Sequence, residues 1–179
     1  MHMRELNPVG LVTVRVCARL LVSRVGLWPV ADLGGLMEVT SSVVIARPAE
    51  LVFAAWSELD RIPDWYVDSL ERLKTSEGPI GVGTTYHAVD RIPPGRRIEG
   101  TLEITQYEPN TLLAASLSHP YNATWETTFE DDNGSTRMTM HTVANLSGFQ
   151  GLLAPLLSGW AGRVQQRGID AFKADVESR

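Results

Sequence analysis

One strand, two short helices, a run of hairpin-linked strands and then a long amphipathic helix follow one another between Met37 and Arg179, and that order constrains the fold more than any single motif. Strands joined by tight turns form an antiparallel sheet. A sheet and a helix must each bury an apolar face, so the economical packing is an α+β domain in which a curved sheet grips the terminal helix. Such a pair encloses an apolar space, which points to a small hydrophobic guest.

The local signals are specific. Val39 to Ala46 is β-branched and ends at Arg47-Pro48-Ala49-Glu50, where Pro48 suits the first helical position and Glu50 the first turn. Leu51, Val52, Ala55, Trp56 and Leu59 give the first short helix an apolar stripe. Asp60 is placed to cap a second, which carries Ile62, Trp65 and Tyr66. From Leu70 the period changes to two, with breaks at Gly78-Pro79, Pro93-Pro94-Gly95, Glu108-Pro109-Asn110, Pro120 and Asp132-Asn133-Gly134.

Parity then assigns faces. Thr84, Tyr86, Ala88 and Asp90 share one side, as do Ile98, Gly100, Leu102 and Ile104. Beyond them Leu113, Ala115, Leu117 and His119 fall on one face, and Ala123, Trp125, Thr127 and Phe129 on another. Across the Asn133-Gly134 turn, Met138 and Met140 oppose Arg137, Thr139 and His141. After Ser147-Gly148 the period becomes helical through Leu153, Leu157, Trp160, Val164, Ile169, Phe172 and Val176, with Pro155 at a start or kink. Gly148, Gly151, Gly159, Gly162 and Gly168 are costly there, up to about 1 kcal/mol each relative to Ala. They mark close backbone approach, a loose lid, or nothing at all.

Charge and cysteine content exclude several classes. Residues 1 to 36 carry four Arg against Glu5 and Asp32; removing that net +2 from the chain's −5 leaves −7 on the remainder. An acidic domain is a poor partner for a phosphate backbone, so no nucleic acid is expected. Cys17 is the single cysteine, so neither a disulfide nor a thiolate metal site forms within one chain, and a reducing, cytoplasmic setting fits. Arg15, Arg19 and Arg24 interrupt the Val- and Leu-rich segment 9–27 before it reaches the roughly 18 uncharged residues of a spanning helix, so stable membrane insertion is not expected. That segment also lacks a clean signal-peptide pattern. Residues 1–36 read as an extension outside the domain, either disordered or lying upstream of a true start at Met37, and residues 37–179 as the domain itself.

These residues together resemble the START/Bet v 1-like helix-grip superfamily, and within it the bacterial polyketide cyclase/dehydrase group often called SRPBCC proteins. The resemblance rests on Ile45-Ala46-Arg47-Pro48-Ala49-Glu50-Leu51-Val52-Phe53, Trp65, Gly81-Val82-Gly83, Tyr107-Glu108-Pro109, Phe129 followed by Gly134-Ser135-Thr136, and the final helix. It implies a seven-stranded curved antiparallel sheet wrapped around the long C-terminal helix, with two short helices after the first strand. It also implies a cavity for lipids, polyketides, sterols or similar molecules. It carries over no catalytic signature, because fold membership does not transfer chemistry.

Nucleotide-loop, serine-hydrolase and metal chemistry find no support. Gly78-Pro79-Ile80-Gly81-Val82-Gly83 precedes a strand and lacks Gly-Lys-Ser/Thr, no G-x-S-x-G elbow occurs, and the four His are scattered. No cofactor and no metal are expected. Parity puts His87 and His141 on the outer face as solvated residues. His119 has the intrinsic pKa for acid/base work if it faces inward, though a plain strand-end histidine is the simpler reading. Asp90 reads as a solvated strand-end carboxylate, the alternative being a buried one with a functional partner.

Three functions follow in order. The first is a binding protein whose cavity is lined by Trp65, Tyr86, Leu102, Trp125, Thr127, Met138, Met140, Thr142, Leu157 and Trp160, with Tyr86, Thr127 and Thr142 orienting the guest's polar end and Met supplying an adaptable wall. The second is a polyketide cyclase/dehydratase-type enzyme using Tyr86, Asp90 and His119 for proton transfer, of which at least two must converge. The third is an interaction module working through outer charges such as Glu99 and Glu103. Oligomeric state is left open by the sequence.

Overall fold

The computed structural model describes residues 13–17, 35–92, 95–118, 122–146 and 154–179. Strands β1 (Thr13–Cys17), β2 (Gly35–Ile45), β3 (Ser69–Lys74), β4 (Thr85–Ile92), β5 (Arg96–Glu108), β6 (Leu112–Ser118), β7 (Asn122–Asp132) and β8 (Ser135–Leu146) form one sheet in the order β1-β2-β8-β7-β6-β5-β4-β3. Every pairing is antiparallel. Helix α1 (Ala49–Trp56), a 3-10 turn at Leu59–Arg61 and α2 (Ile62–Trp65) follow β2, and α3 (Ala154–Ser178) closes the chain.

The seven strands from Gly35 to Leu146, with α3 across their inner face, are the helix grip expected from the element order. Thr13–Cys17 adds an eighth. It lies in the segment read as an extension, yet its β-branched Thr13, Val14 and Val16 pair with the outer edge of β2 in the register Thr13↔Thr40 to Cys17↔Leu36. A free strand edge presents unpaired backbone groups, and β1 satisfies those of β2.

Alternation holds along the sheet. Tyr86, Ala88, Ile98, Leu102, Ile104, Leu113, Ala115, Phe129 and Met138 are buried on the inner side, while Glu99, Glu103, Glu126 and Arg137 face water. The β7–β8 turn takes Asn133 and Gly134 at φ 55° and 85°, the two positive values a type I′ hairpin demands. Two apolar layers result. Val52, Phe53, Trp56, Phe129, Met138 and Phe172 lie in one, beneath α1 and the C-terminal half of α3; Leu59, Ile62, Tyr86, Leu102 and Ile104 lie in the other.

The helix is tied at its C-terminal end. Arg47 Nη2 donates to the Glu177 carbonyl (2.7 Å), Glu177 Oε1 accepts from Ala46 N–H (2.7 Å), and Lys173 Nζ reaches the Val44 carbonyl (2.7 Å). A cation on the last helical carbonyls also matches the dipole.

Three local expectations change. Pro48 caps α1 from outside, so the helix begins at Ala49. Leu51 is exposed and Phe53 takes the inward position, because α1 presents Val52, Phe53 and Trp56 to the sheet. Asp60 sits inside the 3-10 turn and caps nothing; the backbone tightens there before α2, whose N-cap is Arg61. Pro155 lies in the first turn of α3, where its missing N–H costs no hydrogen bond, so it marks a start.

Of the glycines in the helical stretch, Gly168 has a steric reason. A Cβ there would sit 2.7 Å from Tyr66 Cε2 and closer still to Cδ2, so the helix backbone rests on that ring. Gly159 has only Arg163 Nη1, at 4.0 Å. Gly168→Ala is therefore expected to cost about 1–3 kcal/mol by overpacking. Gly159→Ala is expected to gain up to about 1 kcal/mol. Urea unfolding of both variants checks the contrast, and equal effects would show that Tyr66 yields freely.

Candidate functional site

Between the inner face of the sheet, α2 and the first half of α3 lies a partly open cavity of about 270 Å³. Its walls come from elements that the fold holds rigidly. Trp65 ends α2 and is fixed by stacking on Trp56 (centroids 4.9 Å apart) and by Phe172 (5.2 Å). Trp125 and Met140 project from β7 and β8, and Leu157 and Trp160 from α3. Gln165 is the polar interruption of the apolar wall. It accepts from Thr142 Oγ1 (2.8 Å) and donates to the Met140 carbonyl (2.9 Å), so these groups satisfy one another and pin α3 to β8.

One end is different in chemistry. Tyr66, Asp68, Arg72, Asp90 and Arg91 line it. Arg72 projects inward because β3 bulges between Ser69 and Glu71, which puts Ser69 and Arg72 inside and leaves Leu70 and Leu73 exposed. Its Nη2 meets Asp90 Oδ1 at 2.7 Å, and Nη1 donates to the Glu71 carbonyl (2.9 Å), with Val89 O at 3.4 Å. The pair is buried, with side chains 6% and 17% exposed.

Burial raises the Asp90 carboxyl above its ordinary range, the Arg72 guanidinium opposes that rise, and Asp68 adds to it. Ser69 Oγ lies beside the carboxylate and helps hold it down, but stops short of a well-formed hydrogen bond. Tyr66 is raised too, by burial first and by the charges of Asp90 and Asp68 next, so it stays a neutral phenol. The cavity thus has a long apolar body and one polar end.

Of the residues expected to line a cavity, Trp65, Trp125, Met140, Thr142, Leu157 and Trp160 are on its wall. Tyr86, Leu102, Thr127 and Met138 are not. They are 3%, 0%, 0% and 0% exposed, and Tyr86, Leu102 and Met138 are packed in the filled layers alongside it. Thr142 has donated its hydroxyl to Gln165, so none of Tyr86, Thr127 and Thr142 serves the polar end. Asp90 is no solvated strand end; it is the buried, partnered carboxylate.

The proposed proton-transfer group does not assemble around Tyr86. Tyr86 and Asp90 are four residues apart on one strand, roughly 13 Å, and Tyr86 is under Leu59 and Ile62 in the packed layer. His119 and His2 lie outside the described residues. His141 is half-buried on the outer face and hydrogen-bonded to Thr40 Oγ1 (2.9 Å), and His87 is half-buried as well. Among the described residues no three His, Cys, Asp or Glu side chains gather as metal ligands, and no helix is long and apolar enough to cross a membrane.

Residues 37–177 match the family model described as polyketide cyclase / dehydrase and lipid transport. The chain belongs to this polyketide cyclase/dehydrase family. Solved structures similar to this family member include TTHA0849 from Thermus thermophilus, at 15% identity and TM-score 0.68, covering 79% of this chain and 97% of that one. The Zhui aromatase/cyclase from Streptomyces sp. R1128 is similar at 16% identity and TM-score 0.66, with 80% and 95% covered. Ara h 8.0201 is similar at 16% identity and TM-score 0.61, with 81% and 100% covered. At these identities the likeness is one of fold. No curated protein matches the chain in sequence.

Proposed function

We propose that this polyketide cyclase/dehydrase family member binds a small hydrophobic molecule, a lipid, polyketide or aromatic compound, in the cavity beneath α3. The observation that carries the reading is a space of about 270 Å³ walled by Trp65, Trp125, Met140, Leu157 and Trp160. That volume is at the lower edge of ordinary small-molecule sites, which are mostly apolar with a few placed polar groups. The family description and the aromatase/cyclase neighbour support a hydrophobic guest. An interaction module working through Glu99 and Glu103 would have no use for an open interior, and those exposed charges suit plain solvation.

The test is native mass spectrometry of the purified full chain soaked with fatty acids, sterols and aromatic polyketides. A retained one-to-one adduct is expected. Ala144, buried on β8 with its side chain on the cavity wall, provides the control. Ala144→Phe is expected to fold with unchanged or higher Tm, as cavity-filling changes commonly do, and to weaken binding at least about 10-fold. Undiminished binding by a folded Ala144→Phe protein would place the guest elsewhere.

A further inference from the structure

We infer that the guest carries a neutral hydroxyl head, an alcohol or phenol, whose O–H donates to the Asp90 carboxylate while its hydrocarbon body lies along the apolar wall; this rests on the hydrophobic-ligand reading above. The inference comes from which polar groups at that end are already committed. Arg72 has spent its guanidinium on Asp90, on the Glu71 carbonyl and toward that of Val89, and its Nε is buried without a partner and without accessible surface. Its bonds are thus directed into the protein, and its charge is met by Asp90.

Asp90 is otherwise placed. Arg72 holds one of its oxygens, while the side chain, on the inner face of β4 in line with Tyr86 and Ala88, is on the cavity wall. An ionised carboxylate is acceptor-only, so it selects a donating partner. Around it Asp68 and Asp90 are balanced by Arg72 and Arg91. An anionic head would leave that end with a net negative charge and an ammonium with a net positive one, each an uncompensated charge taken out of water. A hydroxyl adds no charge. Arg91 lines the same end, exposed, with its backbone N–H bonded to the Asp68 carbonyl (2.7 Å), and its charge completes that balance.

Four probes sharing one hydrocarbon body test this on the unaltered full chain by calorimetric titration at neutral pH: naphthalene, naphthol, naphthoate and naphthylmethylammonium. Naphthol is expected to bind about tenfold tighter than naphthalene, the scale of one net hydrogen bond to a charged group. Naphthoate and naphthylmethylammonium are expected to bind more weakly than naphthalene. Naphthoate or the ammonium matching naphthol, or naphthol matching naphthalene, would overturn the hydroxyl inference and leave the ligand reading standing. Failure of all four to bind removes the hydroxyl inference, and it is the absence of any adduct in the mass-spectrometric soak that removes the ligand reading.

Asp90→Asn supplies a second readout. Its amide oxygen keeps the Arg72 contact, its NH₂ faces the cavity as a donor, and Arg72 is no longer neutralised, so naphthoate is expected to overtake naphthol. An unchanged ranking in a folded Asp90→Asn protein would overturn the inference. Should that variant fail to fold, the ranking on the unaltered protein decides alone.

Discussion

Arg72→Met is expected to unfold about 3–5 kcal/mol more easily than the unaltered protein, the usual result of removing one partner from a buried ion pair. The guanidinium and the Asp90 carboxylate meet at 2.7 Å with 6% and 17% of their side chains exposed, so solvent screens them little. Without Arg72 the carboxylate would remain in an apolar wall with its main compensating charge gone. For a chain of this size the loss corresponds to a fall in Tm on the order of 10 °C. The deficit should also depend on pH in one direction. Burial already raises the Asp90 carboxyl and Arg72 opposes the rise, so removing Arg72 raises it further. A group whose folded pKa lies above its unfolded one supports folding below the unfolded value and loses that support as pH rises through the folded value. The Arg72→Met deficit is therefore largest near neutrality and shrinks on acidification toward the ordinary aspartate range. Arg72→Met combined with Asp90→Leu, which removes both charges, should recover to within about 1 kcal/mol of the unaltered protein. A single-variant loss below about 1 kcal/mol would mean that water reaches the pair.

This pair also shows where the sequence stops being informative. Alternation along β4, β5, β7 and β8, the Asn133-Gly134 turn and the helical period of α3 were all legible, since each rests on local chemistry with a fixed repeat. The inward side of Tyr86, Thr127 and Met138 was legible for the same reason. Their depth was not. Period two assigns a residue to a face, whereas whether that stretch of the face is filled or hollow depends on which part of α3 lies over it. Hence Trp125 and Met140 reach the cavity while Thr127 and Met138, two residues further toward the β7–β8 turn, are fully buried, Met138 in the layer that holds Phe53 and Phe172. Arg72 escaped notice because a bulge breaks the period of two: the irregularity at Ser69/Glu71 puts Ser69 and Arg72, three residues apart, on the inner side and leaves both Leu70 and Leu73 exposed. β1 was hidden by its setting, since Val14 and Val16 alternate around Arg15 as a strand should but stand in a basic stretch that reads as an extension outside the domain.

Phe172→Ala is expected to match Arg72→Met in size by an unrelated mechanism. Phe172 is 1% exposed on α3, edge-on to Trp56 (4.9 Å, 78°) and tilted against Trp65 (5.2 Å), so truncation loses the transfer energy of the ring and leaves a cavity that two indoles and a sheet cannot close. Such changes cost about 3–5 kcal/mol. Leu51→Ala, at a residue 57% exposed on α1, should stay within about 0.5 kcal/mol, which makes it the matched control in the same urea titration. The two large effects should part company in binding. Trp65 is both a wall of the guest cavity and a neighbour of Phe172, so deleting the ring lets that wall relax into the new void. Phe172→Ala should therefore weaken retention even of naphthalene under conditions where the variant is fully folded. The double change at Arg72 and Asp90 should spare naphthalene and abolish the preference for naphthol, because it removes the polar end and leaves the aromatic support intact. If folded Phe172→Ala held naphthalene as tightly as the unaltered chain, Trp65 would be kept in place without the Phe172 ring, and that part of the apolar wall would not depend on it.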